Sequence, residues 1–388
     1  MTHRPEQKMP DARQLAAWDL RQNGMLQRDI AKKLAVAEST ISKWISNVRA
    51  SDIKSTISAD GYPLSSTLSY EKNRGAYYIG DSAELLQSEA FSSLKGKIQL
   101  IFTSPPFPLN EKKSYGNKEG KEYLDWFQSL APIFADMLTD TGSIVLEVGN
   151  SWEPERPVQS LFPLESLLAF TKQKDAKLNL IQQFVCYNPS RLPTPAAWVT
   201  RKKIRTVDSF THVWWLSKVD EPKADTSKVL RPYSDSMKSL LQRGKYNSGK
   251  RPSQHQISIN GFLKDHGGAI PHNVFELEQL EEHRDVRLPN TFSFSNTVSN
   301  DFFLRSCQRE GIIPHPARMP LGLASFFIEF LTDPNDFVLD PFGGSNTTGF
   351  ASALSNRRWI SIDISDNYVK ESKLRFEDPR LNNQEKEK

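Results

Sequence analysis

The sequence predicts an open α/β fold, a mostly parallel sheet with helices on both faces, joined to a small all-α domain at its N-terminal side. Three observations predict it. After Glu71, strand-like apolar runs alternate with helical ones, as in a parallel sheet built from crossover units. Two of those runs, ending at Thr103 and Asp340, pass straight into turns of proline or glycine, as strands do where an α/β sheet meets a ligand. The first 50 residues hold nine Lys/Arg against five Asp/Glu, a net +4 that equals the charge of all 388 residues. A basic arm of that kind suits nucleic acid.

The remaining composition excludes several classes. Hydrophobic residues make up 38% and charged residues 25%, as in an ordinary globular protein. No apolar run approaches the roughly 18 residues of a membrane span, and no signal-peptide core is present, so a cytoplasmic protein without a membrane partner is expected. Cys186 and Cys307 lie far apart without metal-ligand spacing and read as reduced thiols. No metal is expected.

Residues 1–52 read as three helices. Leu15, Ala16 and Leu20 lie on one helical face, and Asn23-Gly24 ends that helix. A second helix near Gln27–Leu34 puts Ile30, Ala31 and Leu34 on one face. Ala35-Val36-Ala37 forms a turn, and Glu38-Ser39-Thr40 opens a third helix with Ile41, Trp44 and Ile45 facing inward. The spacing resembles the helix-turn-helix of resolvases and small repressors. That resemblance places Ser39, Thr40, Ser42 and Lys43 towards a DNA major groove. A three-helix packing module is the alternative. Residues 53–72, rich in Ser and Thr around Gly61-Tyr62-Pro63, have linker composition.

The α/β domain is expected over 73–388. Strands are expected at Tyr77–Ile79, Ile98–Thr103, Ser143–Val148, Ile181–Tyr187, Ser209–Leu216, Phe337–Asp340 and Trp359–Asp363, with helices at Tyr123–Leu138 and Ser325–Leu331. Residues 219–304 are polar and too long for a simple loop, which leaves disorder or a functional insertion. Trp198, Trp214, Trp215 and His212 are expected to be structural.

In VLDPFGGSNTTGFASA, 338–353, a strand ends at Asp340 and a turn with Gly343 and Gly344 leads into a helix. The glycines permit close approach to a ligand, and the helix start offers unpaired N–H donors. The next strand ends at Asp363, an acid suited to both hydroxyls of a ribose. Together these features point to a nucleoside cofactor, with NAD, ATP and S-adenosylmethionine all open. TSPPF, 103–107, narrows the choice. Its prolines remove N–H donors, so a serine hydroxyl and a proline carbonyl present two acceptors to the two hydrogens of an exocyclic amine. Holding both hydrogens localises the nitrogen lone pair towards an electrophile, while the Phe107 ring offers a stacking surface.

TSPPF and DPFGGSNTTG resemble the catalytic and cofactor motifs of the amino-methylating DNA methyltransferases, and their order resembles the permuted β group. GDSAELL (80–86), GSIVLEVGN (142–150) and HPARMP (315–320) match further motifs of that family. YNPSRLPTPAAWVTRKKIR, VWWLSK, KVLRPYSDSMK and GGAIP look like its PvuII-type cytosine-N4 branch. The match covers roughly 77–376 and leaves out the helical N-terminal domain. The resemblance implies methyl transfer from S-adenosylmethionine to N4 of a flipped cytosine in double-stranded DNA, in a restriction-modification system with a companion endonuclease, by a monomer or weak dimer. It assigns catalysis to Ser104, Pro105, Pro106 and Phe107, with Glu147 behind Ser104. It assigns the cofactor to Asp81, Pro316, Asp340, Phe342, Gly343, Gly344, Ser345, Asn346, Thr347, Thr348 and Asp363. Ser345 stands where the family often has a second glycine, and Glu147 where the branch has Asp. Residues 219–304 become the target-recognition region, with Arg251, Ser253 and His255 reading bases, and 202–205 (KKIR) a second basic patch. The rivals are an adenine-N6 methyltransferase and a DNA-binding regulator with a vestigial catalytic domain.

Overall fold

The computed structural model describes residues 13, 17, 20, 21, 25–45, 57–107, 118, 120–259, 261–278, 292–295 and 301–382. The helix stop expected at Asn23-Gly24, together with Leu15 and Ala16, lies outside them. The chain divides into two compact units, Met1–Leu68 and Ser69–Lys388.

In the first unit, helix Gln27–Leu34 buries Ile30 and Ala31 and stops at Ala35, whose left-handed φ of 54° lets its N–H close on Ala31 and Lys32 carbonyls. Residues 38–45 form the next helix. Ala17, Ile30, Ala31 and Ile41 make the core of this unit, flanked by Leu20, Met25, Leu34, Val36, Trp44 and Ile45. Ser39, Ser42 and Lys43 are exposed and Thr40 is half-buried.

The second unit is built on a ten-stranded sheet. Its strands are β1 (Leu68–Lys72), β2 (Gly75–Ile79), β3 (Ile98–Thr103), β4 (Leu138–Gly149), β5 (Asn179–Tyr187), β6 (Phe210–Ser217), β9 (Val274–Glu278), β10 (Phe292–Ser295), β11 (Phe337–Asp340) and β12 (Arg358–Asp363); β7 (Gly249–Lys250) and β8 (Gln256–Ile257) form a separate hairpin. The order across the sheet is β1-β2-β12-β11-β3-β4-β6-β5-β9-β10. From β2 to β10 neighbouring strands pair parallel except β4–β6 and β6–β5, which are antiparallel. From β11 the chain steps outward to β12, and from β3 to β4 on the other side. The order therefore reverses between β11 and β3, and a crevice opens there beyond the strand ends.

The buried strands are continuous apolar runs, as a sheet covered on both faces requires; every residue of β3 is buried. Helix Leu321–Leu331 supplies Leu323, Phe326, Phe327 and Phe330 to a core shared with Leu100, Phe102, Val145, Phe184, Phe275 and Val338. On the other side, helix Gly120–Met137 packs against helix Phe162–Thr171, where the Phe127 and Phe170 rings lie 4.9 Å apart. Trp214 and Trp215 are buried as expected, and His212 is held by Gln183 and Asn150.

Two expectations need correction. Residues 68–72, placed in the linker, form edge strand β1; the Asn73 and Arg74 turn, with φ of 45° and 65°, folds it onto β2 as a two-residue hairpin. Its Tyr70 packs on Tyr77, Trp359 and Phe376, a role its polar neighbours conceal. Within 219–304, β9 and β10 extend the main sheet, so that stretch is only partly an insertion. Phe275, fully buried against Phe184, Phe326 and Phe327, holds β9 there. The protruding part is closed at its base by the Arg231–Ala269 bridge.

Candidate active site

The carboxyl ends of β3 and β11 lie side by side because the strands pair directly. Thr103, the last residue of β3, donates to Asp340 Oδ1 at 2.6 Å. Thr348, in the first turn of helix Thr347–Leu354, donates to Asp340 Oδ2 at 2.7 Å, and the Phe342 N–H adds a third bond at 3.1 Å. One buried carboxylate thus ties the TSPPF corner to the glycine turn. Burial pushes the Asp340 carboxyl up to about 6 despite these three donors.

Beyond these ends lies a cleft of about 1040 Å³, lined by Ser104–Phe107, Glu147, Asp340, Phe342–Ser345, Thr347, Thr348 and Asp363, and also by Asp81, Pro316 and Arg318. That volume is at the upper end for a small-molecule pocket and has room for a nucleoside cofactor together with a base. Twenty residues past the glycine turn, the Asp363 carboxylate accepts the Gly344 N–H (2.9 Å) and the Ser365 N–H (2.8 Å), and burial raises its pKa. Asp81 caps helix Ser82–Gln87 through the Glu84 N–H at 3.1 Å and is exposed at the cleft.

The glycines are sterically required. A Cβ on Gly343 would lie 2.7 Å from the Tyr77 hydroxyl, and Gly344 has a left-handed φ of 48° with His315 Nε2 3.3 Å from its Cβ position. Ser345 is clamped by Arg375, which donates to its carbonyl (2.8 Å) and its hydroxyl (3.1 Å). Asn346 departs from expectation. Its side chain turns away from the cleft, accepting the Gly349 N–H (3.1 Å) and the Ser361 hydroxyl (2.7 Å) and donating to Tyr70 (3.1 Å). Asn346 is fully buried in the left-handed helix-cap conformation, φ 58°, which Asn tolerates better than most residues. It shapes the turn instead of contacting a ligand.

At the Ser104–Phe107 corner, the Ser104 hydroxyl donates to the Glu147 main-chain carbonyl at 3.4 Å, which leaves its lone pairs free. Tyr123 donates to the Pro106 carbonyl at 2.8 Å; no described residue donates to the Pro105 carbonyl. Phe107 lies over Gly149, where a Cβ would come 2.5 Å from the ring. The Glu147 carboxyl is buried, and burial raises its pKa, opposed by the Thr211 hydroxyl at 3.1 Å, the nearby Arg191 and Ser104. Arg191 reaches the cleft with its Nη1 on the Phe210 carbonyl (3.0 Å).

Several groups that shape the site went unnamed by sequence reasoning. Thr103, Tyr123 and Gly149 act by contact across the fold, and no local pattern marks them. Arg318, inside the quoted HPARMP, was within reach: its Nη1 holds the His315 carbonyl at 3.1 Å, while its Nε is buried without a partner among the described residues. An orphaned guanidinium N–H beside a glycine cradle fits a cofactor that carries a carboxylate and approaches the backbone closely. Arg251, Ser253 and His255 sit together, exposed, on the β7–β8 turn, where the Arg251 N–H meets the His255 carbonyl at 2.9 Å; none lines the cleft.

The family described as DNA methylase matches residues 98–374. The chain belongs to that family. It is 41% identical over 314 residues to the type II methyltransferase M.PvuII of Proteus hauseri, over 80% of this chain and 86% of that one. The solved structure of the PvuII DNA methyltransferase, cytosine-N4-specific, aligns with a TM-score of 0.59 and 36% identity over 79% of this chain and 87% of that one. A stretch of 56 residues, 14% of this chain and 19% of its counterpart, is 43% identical to the DNA adenine methyltransferase YhdJ of Escherichia coli. Among the described residues no helix is long and apolar enough to cross a membrane.

Proposed function

We infer that this methylase transfers a methyl group from S-adenosylmethionine to N4 of a cytosine flipped out of duplex DNA, as the modification enzyme of a cytoplasmic restriction-modification system. The observation that carries the reading is the joining of the Ser104–Phe107 corner to the glycine turn through Thr103, Asp340 and Thr348, in a chain so similar to M.PvuII. When bound, the cofactor supplies a methyl group on cationic sulfur, already a strong electrophile. Gly343, Gly344 and Asp363 would hold its nucleoside part, and Arg318 its carboxylate. Flipping the base costs roughly a few kcal/mol, part of which Phe107 returns by stacking.

Ser104 Oγ and the Pro105 carbonyl accept the two N4 hydrogens and aim the nitrogen lone pair at the methyl carbon. With the cofactor bound, N4 would form its bond to that carbon as the carbon–sulfur bond breaks. The proton that N4 then sheds passes by way of the Ser104 oxygen to solvent in the cleft, with Glu147 behind it to stabilise developing positive charge. Cytosine is favoured over adenine by the long match to M.PvuII, whereas the YhdJ match spans a short stretch only. Digestion of methylated DNA to nucleosides, followed by mass measurement, tests this: N4-methyl-2′-deoxycytidine supports it, and N6-methyl-2′-deoxyadenosine alone overturns it.

The N-terminal unit is proposed to bind DNA as a helix-turn-helix and to regulate the enzyme's own promoter. The packed Ile30, Ala31 and Ile41 beneath exposed Ser39, Ser42 and Lys43 support this. Footprinting upstream of the gene, with residues 1–52 deleted as control, tests it. Protection that survives the deletion refutes it.

A further inference from the structure

The loop between β5 and β6, residues 188–209, is not used by the chemistry above, yet both of its stems are in the cleft wall: Asn188 and Arg191 at one end, Phe210 and Thr211 just past the other. It carries Arg191, Arg201, Lys202, Lys203 and Arg205 against the single acid Asp208, a net +4 in a chain whose whole formal charge is +4. The loop is well built. Residues Ala197–Arg201 make one wide helical turn, the Ile204 N–H closes on the Trp198 carbonyl at 3.0 Å, and Arg205 Nε holds the Pro157 carbonyl at 2.7 Å. Asp208 is already engaged by Asn150 at 2.9 Å.

Arg201, Lys202 and Lys203 are exposed, and among the described residues none has an acid within ion-pair reach. The Lys202 ammonium lies over the Trp198 ring, 4.4 Å from its centroid, a cation–π contact that steadies the charge at an exposed site. A solvated face normally mixes both signs of charge; this one does not, and the loop that carries it springs at both ends from the cleft wall.

We propose that the 188–209 loop is a phosphate clamp, in which Arg201, Lys202 and Lys203 grip the sugar-phosphate backbone of the DNA strand whose base enters the cleft. The proposal rests on the base-flipping reading given above. A nucleotide rotated into the cleft leaves its own phosphates at the cleft mouth, where a fixed cluster of cations both holds the strand in register and offsets the crowding of its charges. These contacts carry no sequence information, so the clamp contributes affinity and positioning while base reading stays with other residues.

The test compares the full-length protein with the triple variant Arg201→Gln/Lys202→Gln/Lys203→Gln and with a control, Lys172→Gln/Lys174→Gln/Lys177→Gln. The control removes the same charge at the opposite end of β5, about 25 Å away at strand rise. Methyl transfer to unmethylated bacterial genomic DNA is followed as kcat/KM between 50 and 200 mM salt. Losing three phosphate contacts lowers the logarithmic salt slope by about 2.7, so the parent falls about 40-fold further than the triple variant over that range. The control should follow the parent, Arg201→Lys should keep the parental slope, and cofactor affinity and thermal midpoint should be unchanged in all. A triple variant with the parental slope overturns the clamp, as does a control that matches the triple variant. A parent that transfers no methyl group overturns instead the reading on which the clamp rests.

Discussion

Gly149→Ala isolates the proposed base-stacking ring from every other part of the site. Gly149 ends β4, and its backbone is extended enough to accept alanine. A Cβ there would lie 2.5 and 2.6 Å from two Phe107 ring carbons. Carbon atoms rest at about 3.5–4.0 Å, so the ring must move about 1 Å or more. A displacement of 1 Å near reacting groups costs up to about 100-fold in rate, and stacking on one base is worth roughly 1–3 kcal/mol. Loss of part of that stacking together with misalignment gives an expected fall in kcat/KM of about 10- to 100-fold. The same crowding costs on the order of 1–3 kcal/mol of stability if the ring cannot yield. Titration with duplex carrying 2-aminopurine at the target position reports stacking directly, and calorimetry reports cofactor binding, which should stay within about threefold. A folded variant with parental kcat/KM and parental quenching would refute the placing of the base on Phe107.

Ser104→Ala removes one of the two amine acceptors and should lower kcat by at least about 100-fold, on the scale of losing one preorganised polar group, while a gel-shift assay still shows DNA bound. Asn346→Gly keeps the left-handed backbone and deletes three side-chain bonds, so chemical denaturation should show a loss of about 2–3 kcal/mol with cofactor affinity unchanged. The raised Asp340 carboxyl sets a pH dependence. The unfolded chain releases this proton near pH 4 and the folded chain near 6, so the contribution is complete below about pH 4 and declines as pH rises through about 6, by on the order of 3 kcal/mol. Asp340→Asn should flatten that part of the stability curve in urea melts run at pH 4 to 7.

What was legible in the sequence was chemistry gathered at single strand ends. Neither Pro105-Pro106-Phe107 nor Gly343-Gly344 is decisive alone, but each closes an apolar strand and Asp363 ends the next one, so the combination disclosed the site, and apolar runs such as Ile98–Thr103 disclosed the strands. The misses share one cause. β1 and β9 are short strands anchored by Tyr70 and Phe275, whose ring partners Trp359 and Phe326 are distant in sequence, and both lie next to polar stretches that hide them. Asn346 falls within the DPFGGSNTTG stretch that resembles a cofactor motif, but the helix cap turns its side chain inward after Ser345.

The same distinction explains how the site comes together at all. The two motifs are separated by 237 residues between Thr103 and Asp340, and neither local sequence specifies the other's position. Their meeting follows from strand pairing: β11 inserts beside β3 only because its Val338 and Leu339 complete an apolar layer with Leu100 and Ile101. Thr103, Asp340 and Thr348 then set the join to within a hydrogen bond, at the cost of burying a carboxylate whose pKa rises in consequence. A permuted motif order is harmless under this arrangement. The crevice needs the two strands adjacent and parallel, and chain order enters only through which connections run around the sheet.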